Sequence, residues 1–335
     1  TAGISDEVCS GDPGEGATAF AEALIDKGAG KRLTRDIPLA ITDDDTALLS
    51  QARDTIAKRL KGQTAPQRIL DCLEAAGTMA FDEGLAAERR AFEACMEDPQ
   101  STALRHLFFA ERTASKIDGM AVGTEAQPVK HVGIIGAGTM GGGIAMCFAQ
   151  SGFRVTLVDQ DQEGLERGLG IIKKNYEISV KRGRLSAEQV EGFLRNLEPT
   201  TDWQQLQNVD LVIEAVFENL ELKQSVFQKL DKICSVDTIL ASNTSYQSID
   251  ALATATNRPD RVVGMHFFSP ANVMRLLEVV RGAASSDTTL ATAMAVGKKI
   301  GKVCALSGMC YGFIGNRMLR HYGREAALCV MEGAS

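Results

Sequence analysis

Apolar positions between residues 42 and 118 recur at helical spacing. Leu49, Ala52, Ile56 and Leu60 fall on one face, and Phe81, Leu85, Phe92 and Met96 repeat the pattern, which predicts about four helices and almost no strand. Pro66 and Pro99 stand where a helix can begin, and Asp98 is placed to cap the last of them, DPQSTALRHLFFAERTASKI. The stretch DGMAVGTEAQP, 118–128, is small, polar and Gly-containing, and predicts a linker. Beyond Pro128 short apolar runs alternate with helical patterns: HVGIIGAG, RVTLVD, VDLVIEAV, TILASN, RVVGMHFF and MRLLEVV. That alternation predicts an α/β domain with a largely parallel sheet. Between the second and third runs, Ser186 and Gln189 have the spacing of a capping box.

Composition narrows the partners. A net charge of −7 and a pI near 5.3 argue against nucleic acid or an anionic membrane, since both require a cationic face. Residues 132–153 carry no charge, but their seven glycines and the charge at Arg154 favour a strand, turn and helix inside a domain over a membrane span. The eight cysteines include no CxxC pair and no cluster at zinc spacing, so they read as free thiols in a reducing compartment, and no metal site is expected. The first residues, TAGISDEVCSGDPGEG, show no basic start followed by an apolar core, so no signal peptide is expected.

The segment GAGTMG, 136–141, follows an apolar strand and opens a helical run, and Asp159 closes the next strand 23 residues after Gly136. Placed this way, the glycines form the dinucleotide fingerprint of a Rossmann-type doubly wound sheet. Gly136 allows a tight turn, Gly138 lets a pyrophosphate approach the backbone, and Gly141 lets helix and strand pack closely. A carboxylate at Asp159 accepts from a ribose 2′-OH and repels a 2′-phosphate, so NAD is expected rather than NADP.

In such a sheet ligands bind beyond the carboxyl ends of the strands, which draws attention to Glu218 and Lys223 after VIEAV, Ser245 after ILASNT, and His266 after VVGM. Oxidation of a secondary alcohol needs a base for the hydroxyl proton, and an imidazole suits the task. Glu278 interrupts the apolar run LLEVV and is a candidate partner for the imidazole, because an unpaired charge is expensive to bury there. Two bland readings stay open on the residues alone: a hydrogen-bonded core histidine, and a glutamate facing water from an edge strand.

GAGTMGGGIA, ASNTSYQSI, MHFFSPANVMRLLEVV and YGFIGNRM occur in this order, and the chain thereby resembles the 3-hydroxyacyl-CoA dehydrogenase family. HFFSPANVM most resembles the multifunctional fatty-acid β-oxidation enzymes, and FDEGLAAERRAF and ALRHLFFAER resemble the end of their enoyl-CoA hydratase module and its connecting helix. The resemblance implies NAD-dependent oxidation of (S)-3-hydroxyacyl-CoA to 3-oxoacyl-CoA, with His266 as base and Glu278 as its partner. It implies that Ser245 and Asn316 hydrogen-bond the substrate's 3-oxygen and its surroundings, and that Met140, Asp159, Glu218 and Lys223 border the NAD. Ser269 departs from the pattern, since many members have Asn there. The basic cluster Lys173, Lys174, Lys181, Arg182 and Arg184 lies near the site in sequence, but a solvated helix face is the favoured reading.

The expected organisation is a closing helical segment of a hydratase-like module plus connecting helix (1–117), the linker (118–128), the NAD-binding domain (129–311) and the start of a helical C-terminal domain (312–335). A chain so placed is expected to lack hydratase activity, to be truncated at both ends of the family pattern, and to pair, if at all, with a second copy through its C-terminal helices. A cytoplasmic location is expected for a bacterial source, with the peroxisome less favoured. Two other classes compete: an NAD-binding structural or crystallin-like module without turnover, against which the full set His266, Glu278, Ser245 and Asn316 weighs, and a dehydrogenase of β-hydroxy acids that does not use CoA, against which the hydratase-like segment weighs.

Overall fold

The computed structural model describes residues 8–30, 33–36, 41–117 and 119–334. They fall into two compact units, Thr1–His106 and Leu107–Ser335.

The first unit is helical, with α1 (Pro13–Asp26), α2 (Asp43–Arg59), α3 (Ala65–Thr78) and α4 (Phe81–Glu97). The helix α5 (Pro99–Ala114) begins in it, and Asp98 accepts from Gln100 N at 2.9 Å, as the sequence suggested. Thus the four helices expected between 42 and 118 are present, and α1 is an addition that no periodicity announced. The two faces differ in burial: Leu49, Ala52 and Ile56 are half-buried and Leu60 is exposed, whereas Phe81, Leu85, Phe92 and Met96 are all exposed. Periodicity reports which residues share a face of a helix, not whether a partner covers that face.

The second unit is built on an eight-stranded sheet in the order β3-β2-β1-β4-β5-β6-β7-β8. Its strands are β1 (His131–Ile135), β2 (Arg154–Val158), β3 (Leu197–Thr200), β4 (Leu211–Glu214), β5 (Ile239–Ser242), β6 (Val262–Phe267), β7 (Leu276–Arg281) and β8 (Val303–Gly308). All pairs are parallel except β6 with β7. The expected doubly wound sheet is therefore present, with two strands, β3 and β8, beyond the six apolar runs. Strand order reverses between β1 and β4, which opens the crevice where such sheets take their ligands. Residues from α6 (Thr139–Gln150), α7 (Gln162–Lys181) and α11 (Asp287–Lys299) pack on one core cluster, and residues from α9 (Leu220–Ile233) and α10 (Ile249–Ala253) on a second.

The predicted linker has no regular structure among its described residues and is tied to the second unit, where Ala121 N donates to Asp287 at 3.0 Å and Gln127 N to Thr292 at 2.9 Å. The capping box opens α8 (Ala187–Arg195) as predicted. Five helices of this unit, α7 to α11, begin with a side chain that caps their free N–H groups: Asp161, Ser186, Asn219, Ser248 and Ser286. Two do not. One is α6; the other is α12 (Gly315–Met331).

Candidate active site

The uncapped start of α6 lies in the glycine loop. Gly136 follows the last residue of β1 with φ +99°, a left-handed conformation that glycine adopts without steric cost, and a Cβ there would press on the Ala215 carbonyl at 2.8 Å. At Gly141 a Cβ would overlap the Gly136 carbonyl oxygen, whereas at Gly138 it would meet nothing within 4 Å. Two glycines thus serve packing, and the third leaves the backbone open to a ligand. Asp159, one residue past β2, accepts from Ala137 N at 2.7 Å through one oxygen and from Gln160 N at 2.8 Å through the other. Each oxygen keeps a further lone pair for a hydroxyl. A cavity of about 600 Å³ opens here, lined among others by Gly136, Gly138, Asp159, Trp203, Phe217 and Lys229. An uncapped helix start, an open glycine and a carboxylate beside a cavity of this size together suit a dinucleotide. Met140 is half-buried in the first turn of α6 and packs against the core. Trp203, with the Lys229 ammonium 3.6 Å from its ring centroid, escaped the sequence reading because its place in the wall depends on a short turn remote from the motif.

The second cluster forms where β5 and β6 end. His266 is the fifth residue of β6 and pairs in register with Glu278 on antiparallel β7. That register sets the two side chains on one face, and His266 Nδ1 lies 2.7 Å from Glu278 Oε2. The other ring nitrogen, Nε2, lies 3.3 Å from Ser245 Oγ. Both members of the pair are buried, His266 at 3% exposure and Glu278 at 0%. β7 is not an edge strand, because β8 pairs with it, and Glu278 is fully buried, so the reading of a glutamate facing water does not hold. By contrast His131 sits at the first residue of β1, the opposite end of the sheet, where its Nε2 lies 2.8 Å from Thr156 Oγ1.

The second oxygen of Glu278 is used as well. Oε1 accepts from Ile314 N at 3.0 Å and Gly315 N at 2.7 Å, so the carboxylate takes the place of the missing cap on α12. Phe313, buried and at φ +47°, turns the chain into this position. A Cβ at Gly315 would meet the Phe268 ring at 2.8 Å. The rings of Phe268 and Phe313 stand 4.5 and 5.6 Å from the His266 ring, walling the imidazole with apolar surface. Asn243 also escaped the sequence reading; its Oδ1 accepts from Phe267 N at 2.8 Å and fixes the end of the strand that carries His266.

Lys223 lies deeper than a simple crevice rim, whereas Glu218 stays at the surface. Lys223 is 1% exposed and its Nζ lies 2.7 Å from Glu214 Oε1 and 3.2 Å from Glu218 Oε2. Glu218 Oε1 accepts from Thr244 Oγ1 at 2.5 Å and from Ser245 N and Tyr246 N at 3.0 Å each. Partial burial raises the Glu218 pKa, but the Thr244 hydroxyl, the Lys223 ammonium and the Tyr246 amide outweigh it and hold the carboxyl below its ordinary range. Asn316, in the first turn of α12, lines a cleft of about 690 Å³ with Tyr246, Tyr311 and Arg317. The basic cluster from Lys173 to Arg184, in the second half of α7 and just past it, does not line this cleft or the glycine-loop cavity.

Residues 131–308 match the family model for the 3-hydroxyacyl-CoA dehydrogenase NAD-binding domain. The chain belongs to this family. Among curated members, it is 37% identical to the peroxisomal bifunctional enzyme of Cavia porcellus over 99% of this chain and 46% of that one. It is 34% identical to a peroxisomal fatty acid beta-oxidation multifunctional protein of Arabidopsis thaliana over 94% of this chain and 44% of that one. The chain thus spans a little under half the length of these relatives. A solved (S)-3-hydroxybutyryl-CoA dehydrogenase from Ralstonia eutropha superposes with a TM-score of 0.61 at 38% identity, covering 62% of this chain and 74% of that one. The bifunctional and multifunctional relatives overturn one expectation: their names place them in peroxisomes, not the cytoplasm. Organelle addresses are short signals read by receptors, so net charge and free thiols do not report them.

Proposed function

We propose that this chain carries the dehydrogenase reaction of a multifunctional β-oxidation enzyme, oxidising (S)-3-hydroxyacyl-CoA to 3-oxoacyl-CoA with NAD. The observation that carries the reading is the buried His266–Glu278 pair, with Ser245 on the free imidazole nitrogen, set on the same sheet as the glycine cradle. A carboxylate accepts and does not donate, so Glu278 holds the proton on Nδ1 and leaves the Nε2 lone pair facing Ser245 and the substrate. His266 Nε2 takes the proton of the 3-hydroxyl, while Ser245 and Asn316 hydrogen-bond the 3-oxygen and its surroundings. As the imidazole becomes positive, Glu278 stabilises it, and the N–H groups of Ile314 and Gly315 keep the carboxylate from swinging away. Phe268 and Phe313 exclude water from the ring. Bound NAD supplies the acceptor for the hydride leaving C3. In this reading Gly136, Gly138 and Gly141 shape the cradle and Asp159 reads the ribose, while Met140, Glu218 and Lys223 support the cofactor from the loops and helix start beneath it.

The direct assay is NADH oxidation by the purified chain with and without acetoacetyl-CoA. Acetoacetyl-CoA-dependent oxidation is expected, and its absence in a chain that still binds NADH would contradict the reading. The same proposal includes self-association through α12, which exposes Met318, Leu319 and Tyr322. Sedimentation at rising concentration is expected to show a dimer that the substitution Leu319→Glu dissolves.

A further inference from the structure

We infer that Glu214, which belongs to none of the expected functional positions, is a positioning residue that presents Ser245 to His266. The inference rests on the proposed role of Ser245 and His266 in the reaction.

Glu214 ends β4 and is fully buried. Two routes leave its carboxylate, one from each oxygen, and both end on the turn that carries Ser245. From Oε1 the Lys223 ammonium, at 2.7 Å, bridges 3.2 Å to Glu218 Oε2, and Glu218 Oε1 holds Thr244 Oγ1, Ser245 N and Tyr246 N. From Oε2 the Ser242 hydroxyl, donating at 2.7 Å, accepts in turn from Thr244 N at 3.2 Å. Residues 244–246 are therefore gripped from both sides by a network with a single origin. Its output is the 3.3 Å approach of Ser245 Oγ to His266 Nε2.

The charges explain why a glutamate is needed at this position. Lys223 is an ammonium shared by two carboxylates, and a buried ammonium needs a close anion. Without the Glu214 charge, Lys223 is drawn wholly to Glu218, whose other oxygen then loosens its hold on the Ser245 turn. Glu214 also accepts from Val216 N at 2.8 Å, and Val216 and Phe217 line the glycine-loop cavity. The same carboxylate thus sets the loop beside the cofactor and the turn beside the reacting oxygen.

A purely packing role for Glu214 predicts lost stability with an unchanged active site. The test is therefore a spectroscopic one on the intact chain. With ¹⁵N-labelled histidine the four histidines give four imidazole spin systems, and that of His266 is assigned by its loss in His266→Gln. Glu214→Gln is expected to move the His266 Nε2 resonance in the same direction as Ser245→Ala does, leaving Nδ1 in place. Should Glu214→Gln fail to fold, Ser242→Ala severs one route alone and is expected to give the same change at smaller amplitude. An unmoved Nε2 resonance in a folded variant that breaks either route would overturn the inference. In turnover, Glu214→Gln is expected to lower kcat about tenfold with the KM for acetoacetyl-CoA within threefold, and to add nothing to Ser245→Ala; additive losses would count against it. Because the NMR readout needs no turnover, an inactive wild-type chain would sink the proposed reaction while leaving the positioning of Ser245 decided by the resonance.

Discussion

The starts of α6 and α12 pose the same chemical problem and solve it differently. Neither helix has a side chain of its own to cap its free N–H groups. At α12 the fold supplies an internal anion, Glu278, which the register of β6 and β7 has already placed beside His266. At α6 no side chain takes that place, and the open Gly138 borders a cavity with Asp159 on its wall. The difference teaches how one sheet separates two tasks. An anion built into the chain holds a buried pair in place; a helix start without one is left open, as the proposed binding site requires.

The comparison can be broken most severely at Glu278. Glu278→Ala removes the cap of α12 and the partner of His266 together, and stranding a buried polar partner costs about 3–5 kcal/mol. We expect thermal melting to fall on the order of 10 °C, with turnover lost; a melting point within about 2 °C of wild type would show that α12 does not depend on the carboxylate.

At α6 the glycines should separate. Gly141→Ala forces a Cβ onto the Gly136 carbonyl and is expected to cost roughly 3 kcal/mol of stability. Gly138→Ala has open space around it, so it should melt like wild type while losing about tenfold or more in NADH affinity. Titration through the fluorescence of Trp203, the chain's single tryptophan and part of the cavity wall, measures this directly. Equal affinity in the two proteins would remove the phosphates from that helix start.

A smaller effect is expected at Asp159. Asp159→Ala should weaken NAD about tenfold and narrow its preference over NADP. An unchanged ratio of the two affinities would mean that the 2′-hydroxyl is read elsewhere.

The smallest effect is acidic. Because the Glu218 carboxyl is held below its ordinary value of 4.5, its contribution is present above that value and is lost as pH falls through the lowered one. Glu218→Gln should therefore flatten the fall in melting temperature as pH drops below the ordinary carboxyl value of 4.5. A curve parallel to wild type would assign that acid sensitivity to other carboxylates.

The two helix starts also differ in how far they could be read beforehand. The α6 site is local: a strand, three glycines, a helix and an acid lie within the 29 residues from His131 to Asp159, and their constraints act on the backbone. His266 and Glu278 could be paired because a lone carboxylate in LLEVV needs a buried partner, and their spacing suits two antiparallel strands. The clasp on α12 could not, since Ile314 and Gly315 reach Glu278 across 36 and 37 residues and do so with backbone groups that carry no residue signature. Glu214 was hidden for a related reason. In VDLVIEAV it reads as one polar residue ending an apolar strand, and only the folded sheet brings Lys223 and Ser242 to its two oxygens. The strands β3 and β8 escaped because LEPT is short and half-buried and VCALSG alternates weakly.

The most direct test of the central claim is the stereospecific forward reaction, measured for the wild-type chain and for His266→Ala with (S)- and (R)-3-hydroxybutyryl-CoA and NAD. The account predicts NADH formation from the S substrate alone, lowered on the order of a hundredfold or more in His266→Ala, with NADH binding at Trp203 the same in both proteins. Loss of less than threefold in His266→Ala would contradict it, as would a wild-type chain that binds NADH and the S substrate but forms no product.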